Sequence, residues 1–128
     1  MSAPDEGGPR YEIRTDVKYG PLELIDIPAE IAGHEPWFNQ TLATVNDSVA
    51  RLGILHGDFH WHRHEAEDEL FVVLEGRLLI DLEGDRTVAL GPHQGFVVPR
   101  GVVHRTRAPE RTAVLMVEPA GVVPTGDD

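Results

Sequence analysis

Cysteine is absent from this 128-residue chain, which excludes disulfides, thiolate metal sites and cysteine nucleophiles. Any metal must be held by nitrogen and oxygen, which here means histidine and carboxylate. Positive charge is scarce as well. The 11 Lys and Arg stand against 22 Asp and Glu, and the single lysine is Lys18. A formal net charge of −11 leaves no basic face for phosphate backbones or anionic membrane surfaces, so neither nucleic acid nor membrane is expected as a partner. No apolar run approaches the roughly 20 residues that span a bilayer. The opening Met-Ser-Ala-Pro-Asp-Glu-Gly-Gly-Pro-Arg has neither a basic n-region nor an apolar h-region. That predicts no signal peptide and a cytoplasmic location.

What is present suits one domain that can bury a core without staples. Residues 1–10 and 121–128 are rich in Gly, Pro and polar side chains, and read as loose tails around a domain at 11–120. Leu22–Ile27 reads as an edge strand after Gly20-Pro21. Pro28–Phe38 has room for a short helical turn, since Gly33 and Pro36 stop anything longer. Strands are then predicted at 41–45, 49–55, 59–64, 69–74, 78–82, 87–90, 95–98, 103–107 and 113–118. The breaks between them carry Gly, Pro, Asn and Asp, including Pro109-Glu110. Many short strands and no long amphipathic helix indicate an all-β sandwich or barrel.

Four of the seven histidines fall within nine residues: His56, His60, His62 and His64. On a strand, alternate side chains share a face, so His60, His62 and His64 point together, with i and i+2 roughly 6.5–7 Å apart. Glu69 opens the next strand after the turn His64–Asp68, and Phe71 shares its parity. His104 follows about 40 residues after His64, where an antiparallel barrel can bring it across. Three imidazoles and a carboxylate suit Mn, Fe, Co, Ni, Cu or Zn and leave positions for a small ligand. The role of His60 stays open between steadying a ligand, touching substrate and lining the interior; Phe71 is a second inward candidate. His34, His56 and His93 read as ordinary histidines, and Glu65, Glu67 and Asp68 as a solvated turn.

These spacings resemble the two motifs of the cupin superfamily, and especially its small single-domain members. The first motif is a glycine before His-x-His, four residues, Glu, six residues and Gly. It is met by Gly57, His62, His64, Glu69 and Gly76, with one residue fewer than usual between Gly57 and His62. The second ends Pro-x-Gly, two residues, His, and is met by Pro99, Gly101 and His104; His93 stands where a glycine leads, and Gln94 where aspartate is common. The resemblance implies an antiparallel jelly-roll β-barrel holding one divalent transition metal through His62, His64, Glu69 and His104. It also implies a homodimer, for which Leu22–Ile27 is the expected edge. Some similar bacterial proteins carry a mannose-6-phosphate isomerase-like label.

Three functions are consistent with such a site: a metalloenzyme of oxygenase type acting on a small molecule, a sugar or sugar-phosphate isomerase, and a non-catalytic binding or sensing module. The oxygenase reading is preferred. Isomerisation of a phosphorylated sugar needs inward cations, whereas Arg63, Arg105 and Arg107 are expected to point away from the ligand face, and Lys18 is remote.

Overall fold

A computed structural model describes residues 10–127. Most of the predicted N-terminal tail, and Asp128, therefore lie outside the described residues. Eight strands and one short helix follow in order: β1 Glu12–Arg14, α1 Ile27–Ala32, β2 Phe38–Val45, β3 Ser48–Asp58, β4 Glu69–Glu75, β5 Leu78–Leu82, β6 Arg86–Leu90, β7 Gly95–Val98 and β8 His104–Pro119. The all-β class follows from the alternating pattern of β4 and β8, whose inward residues include Phe71, Val73, Val114 and Met116. Hydrogen bonding runs β1-β2-β3-β8-β4-β7, with β5 on β8 and β6 on β5. The ladders do not close into a ring among the described residues. The sheet is also not wholly antiparallel, because β1 pairs with β2 in parallel.

Three expectations need correction. Leu22–Ile27 is not a strand. The edge of β2 is already taken by β1 and by Lys18 and Tyr19, whose amides donate to the carbonyls of Thr41 and Leu42. The segment instead leads into α1, where the Asp26 side chain caps the Ala29 amide at 3.0 Å. Leu22 and Leu24 are left exposed, and the strand on which a dimer was expected is missing. Secondly, Pro109-Glu110 is not a turn between two strands. β8 runs through it, and its register with β3 slips between Leu55 opposite Thr112 and Gly57 opposite Ala108. Proline has no N–H to give a ladder, so it sits where the pairing lapses.

Thirdly, residues 59–64 are extended but form only one bridge, His62 with His104. The Phe59 amide donates to Thr106 and the His62 amide to His104. Three steps on one chain thus face two on the other, which is a bulge. It shifts the alternation by one, so His60 leaves the face that His62 keeps.

The long ribbon of β3, β8 and β4–β5 bends along one line. β3 slips at Gly57 (φ +107°), the β4–β5 turn is at Gly76 (φ +87°), and β8 lapses at Pro109–Arg111. Beyond this line β8 exchanges β4 for β5 as its partner: Val114 and Val117 face β4, while His104 and Arg107 face β5. A straight strand would separate His104 from Glu118 by roughly 46 Å at about 3.3 Å per residue. The fold-over instead brings both beside Glu69. The main core, with Leu78, Ile80, Val98 and Leu90, fills the space between the two leaves.

Gly76 fixes this corner. A Cβ there would stand 2.5 Å from the Thr112 hydroxyl and 2.6 Å from the Arg111 carbonyl oxygen, with φ already in the left-handed region. The same Thr112 hydroxyl accepts from the Arg77 amide at 3.1 Å and lies 2.9 Å from the Arg77 carbonyl, so nothing can give way cheaply. Gly76→Ala is expected to cost about 2 kcal/mol or more in urea unfolding, from left-handed strain and backbone overlap together. A variant as stable as the parent would show that the corner is soft.

Candidate metal centre

The structure brings His62, His64, Glu69 and His104 together: one potential ligand atom from each lies within 4.8 Å of all the others. Glu69 is supplied by the first residue of β4, His104 by the first residue of β8, and His62 by the bridge that holds the bulged segment to His104. His64 is held nearby, its carbonyl accepting from the Gly101 amide at 2.8 Å. His64, Glu69 and His104 are buried, and His62 is half-buried.

The polar atoms inside this cluster lack ordinary partners. His64 Nε2, His104 Nε2 and Glu69 Oε1 are buried and make no hydrogen bond. Glu69 Oε1 is 3.5 Å from His64 Nε2 and 3.8 Å from His104 Nε2. Those distances are long for hydrogen bonds. They suit atoms sharing one ion, since ligands about 2.1 Å from a common metal lie roughly 3–4 Å apart. Buried polar atoms left unpaired cost about 1–3 kcal/mol each, so three in one place point to a ligand for them. Two imidazoles are already oriented for such a role. His62 Nδ1 lies 3.0 Å from the His60 carbonyl and His104 Nδ1 2.9 Å from the Val102 carbonyl, leaving each Nε2 toward the cluster.

The electrostatics keep His62 neutral and Glu69 ionised, the forms that bind a metal, while His64 is shifted toward its protonated form. Burial, and then the neighbouring His104, push His62 down to about 4, so it is neutral at neutral pH. Burial pulls His64 down too, but the Glu69 carboxylate outweighs it and holds His64 above its ordinary value. Burial would raise Glu69; His104, His64 and Glu118 outweigh it and hold Glu69 well below the usual carboxylate range.

Glu118 was not singled out in the sequence. It is buried at the far end of β8 and pairs with buried Arg51 at 2.6 Å. Burial and the adjacent negative Glu69 push Glu118 up to about 10, against the pull of Arg51. One buried cation thus faces two buried carboxyls, and the pair retains one proton. The clue was available: Glu118 and Arg51 each take the inward parity of an apolar strand, as Val114–Met116–Glu118 and Val49–Arg51 show.

A cavity of about 30 Å³ adjoins the cluster, with His62, Glu69 and Glu118 in its wall and Trp37, Phe59 and Phe71 among its aromatic sides. Phe71 lines this cavity. His60 does not join the cluster: it is exposed, and its Nε2 lies 2.7 Å from the Thr125 carbonyl. The three arginines expected to turn away do so. Arg105 and Arg107 both bind Asp81 on β5, and Arg63 pairs with Glu65.

The chain matches the Cupin domain family over residues 55–118, half of its length. An uncharacterized protein of Bacillus subtilis (strain 168), YdbB, is 45% identical over 80 residues, covering 62% of this chain and 71% of that one. Among solved structures, a cupin-2 domain containing protein from Shewanella frigidimarina is 31% identical with a TM-score of 0.71, covering 75% of this chain and 94% of that one. Protein NMB1881 from Neisseria meningitidis is 24% identical with a TM-score of 0.69, covering 76% and 99%.

The shared proton predicts a pH signature in metal-free protein. Between the ordinary value of 4.5 and about 10, folded Glu118 keeps a proton that the unfolded chain has released. Stability from this group therefore falls as pH rises through that window. Glu118→Gln keeps the shape of the protonated acid and has no proton to lose. Melting curves of chelator-treated protein between pH 6 and 9 should show a flatter decline for Glu118→Gln; parallel declines would place the proton elsewhere. His62 acts oppositely, adding stability as pH rises from about 4 to 6.5, so it overlaps the chosen range only at its lower edge and equally in both proteins.

Proposed function

This chain belongs to the cupin family, and on that premise we propose that it is a metal-dependent protein acting on a small molecule, of oxygenase type. The observation that carries the reading is the set of unpaired, converging ligand atoms on His64, Glu69 and His104, with His62 beside them. The donor set fits a divalent transition metal such as Fe, Mn, Ni, Zn or Cu, and the absence of cysteine leaves no thiolate ligand. Such an ion supplies a Lewis acid and a template with positions left for small ligands.

The chain's own residues do the rest. The aromatic sides of the cavity bound its size, so a ligand reaching the cluster is small or enters with rearrangement of this wall. Tyr11 reaches the same cavity; burial pushes its hydroxyl up to about 12, so it stays protonated beside Asn39, whose amide donates to it at 3.3 Å. Glu118 holds a proton next to Glu69, an acid placed at the edge of the reaction space.

One observation favours a second reading, isomerisation of a sugar: Glu118 supplies the acid/base group that this chemistry requires. A phosphorylated sugar is disfavoured, because neither lysine nor arginine lines the cavity.

The experiments separate these readings. Protein purified without added metal, then analysed for metal, should carry a substantial fraction of one ion per chain. His62→Ala and Glu69→Ala should each lose it. Less than a tenth of an ion in the parent, with no rise in melting temperature on adding Fe, Mn, Ni or Zn, would end the metal reading. Oxygen uptake by the Fe(II) form with diols or thiols supports the oxygenase, aldose–ketose interconversion without oxygen uptake supports the isomerase, and binding without turnover supports a sensing module.

A further inference from the structure

Residues 121–127, expected as a loose tail, are folded back over the histidine segment. After β8 the chain turns, the Val122 amide donating to the Pro119 carbonyl at 3.1 Å, and Val122 is buried. Buried Arg51 grips this turn, donating to the Val122 carbonyl at 3.1 Å and the Ala120 carbonyl at 3.5 Å. Pro124 enters the wall of the cavity. The Thr125 carbonyl meets His60 at 2.7 Å. Gly126 lies flat against His62: a Cβ there would stand 2.5 Å from His62 Cβ and 2.9 Å from Cγ. Asp127 donates its amide to the Arg63 carbonyl at 2.9 Å and accepts the Glu65 amide on Oδ2 at 2.7 Å. Residues 125–127 thus engage 60, 62, 63 and 65, the stretch that carries two of the converging imidazoles.

This contact answers a gap in the site. His62 and His104 each have a backbone carbonyl at Nδ1, but His64 Nδ1 is buried with no hydrogen-bond partner. Potential ligand atoms of His64, Glu67 and Asp127 lie within 4.8 Å of one another. Asp127 is the better placed of the two carboxylates. Its backbone and one oxygen are pinned by Arg63 and Glu65, so the other oxygen is presented at little further entropic cost.

We propose that the strap 121–127 is a positioning element of the metal centre, in which Asp127 orients the His64 ring and Gly126 seats the His62 ring. This rests on the metal reading above. A carboxylate behind a metal-bound imidazole fixes its tautomer and direction, and loss of such a partner typically lowers metal affinity about 10–100-fold. Gly126 (φ +95°) serves because any side chain would displace the imidazole it touches.

The test is Zn(II) affinity of the full chain by chelator competition, paired with nitrogen NMR of the imidazoles in metal-free protein. Asp127→Asn keeps the size of the side chain and an acceptor for the Glu65 amide. It should melt near the parent without metal, bind Zn(II) about 10-fold or more weakly, and change the His64 tautomer populations. Asp127→Glu should recover part of the affinity. Gly126→Ala should weaken Zn(II) and shift the His62 ring signals. Variants within twofold of the parent, with unchanged His64 and His62 signals, overturn the inference while leaving the metal reading intact. A parent chain that takes up no Zn(II) overturns both.

Discussion

The shared corner of three neighbouring strands is the constraint on which the rest of the structure depends. β3, β8 and the β4–β5 run lose register or turn at the same level, through Gly57, Gly76 and Pro109–Arg111. A sheet this twisted cannot enclose a core while its strands stay straight, and bulges with glycine are the economical way to bend it. Once the ribbon has bent, Glu69 on one leaf faces His62 and His104 on the other. The site is then a consequence of the fold-over, with ligand atoms on both sides of the core rather than on one surface.

Burying charge at that place demands compensation. Glu69 stays ionised because imidazoles surround it, and Glu118 stays protonated because Arg51 alone cannot neutralise two carboxyls. Arg51 also holds Thr41 and the carbonyls of Ala120 and Val122, so one guanidinium joins β2, β8 and the chain beyond it. This Arg–Glu–Glu arrangement is costly to desolvate and gains its keep through connection more than attraction.

Much of this was legible in residue order. Alternation located Leu78–Leu82 and Gly95–Val98 with the bounds observed, and His-x-His, Glu69 and His104 marked the residues that converge. Alternation failed at His60 because it assumes one step per partner step, and the extra residue between Phe59 and His62 is defined only by pairing with Thr106 and His104. It failed at Leu22–Ile27 because propensity does not say whether a sheet edge is vacant. The strap was hidden by composition: glycine and proline read as looseness, yet Gly126 is needed where the backbone must touch a ring and Pro124 where it must wall a cavity. Glu118 and Arg51 were visible as charges at inward positions, a signal that polarity alone does not interpret.

β8 follows every other strand among the described residues and is the partner of β3, β4 and β5. During synthesis those three strands emerge well before the one that joins them, and their central edges stay open until residue 119 has been made. Long-range pairing of this kind folds slowly and leaves unpaired edges that can associate with other chains. The nascent chain is thus at its most vulnerable while β8 is still to be made, and substitutions that hasten non-native pairing of β3 or β4 would lower yield without altering the folded protein.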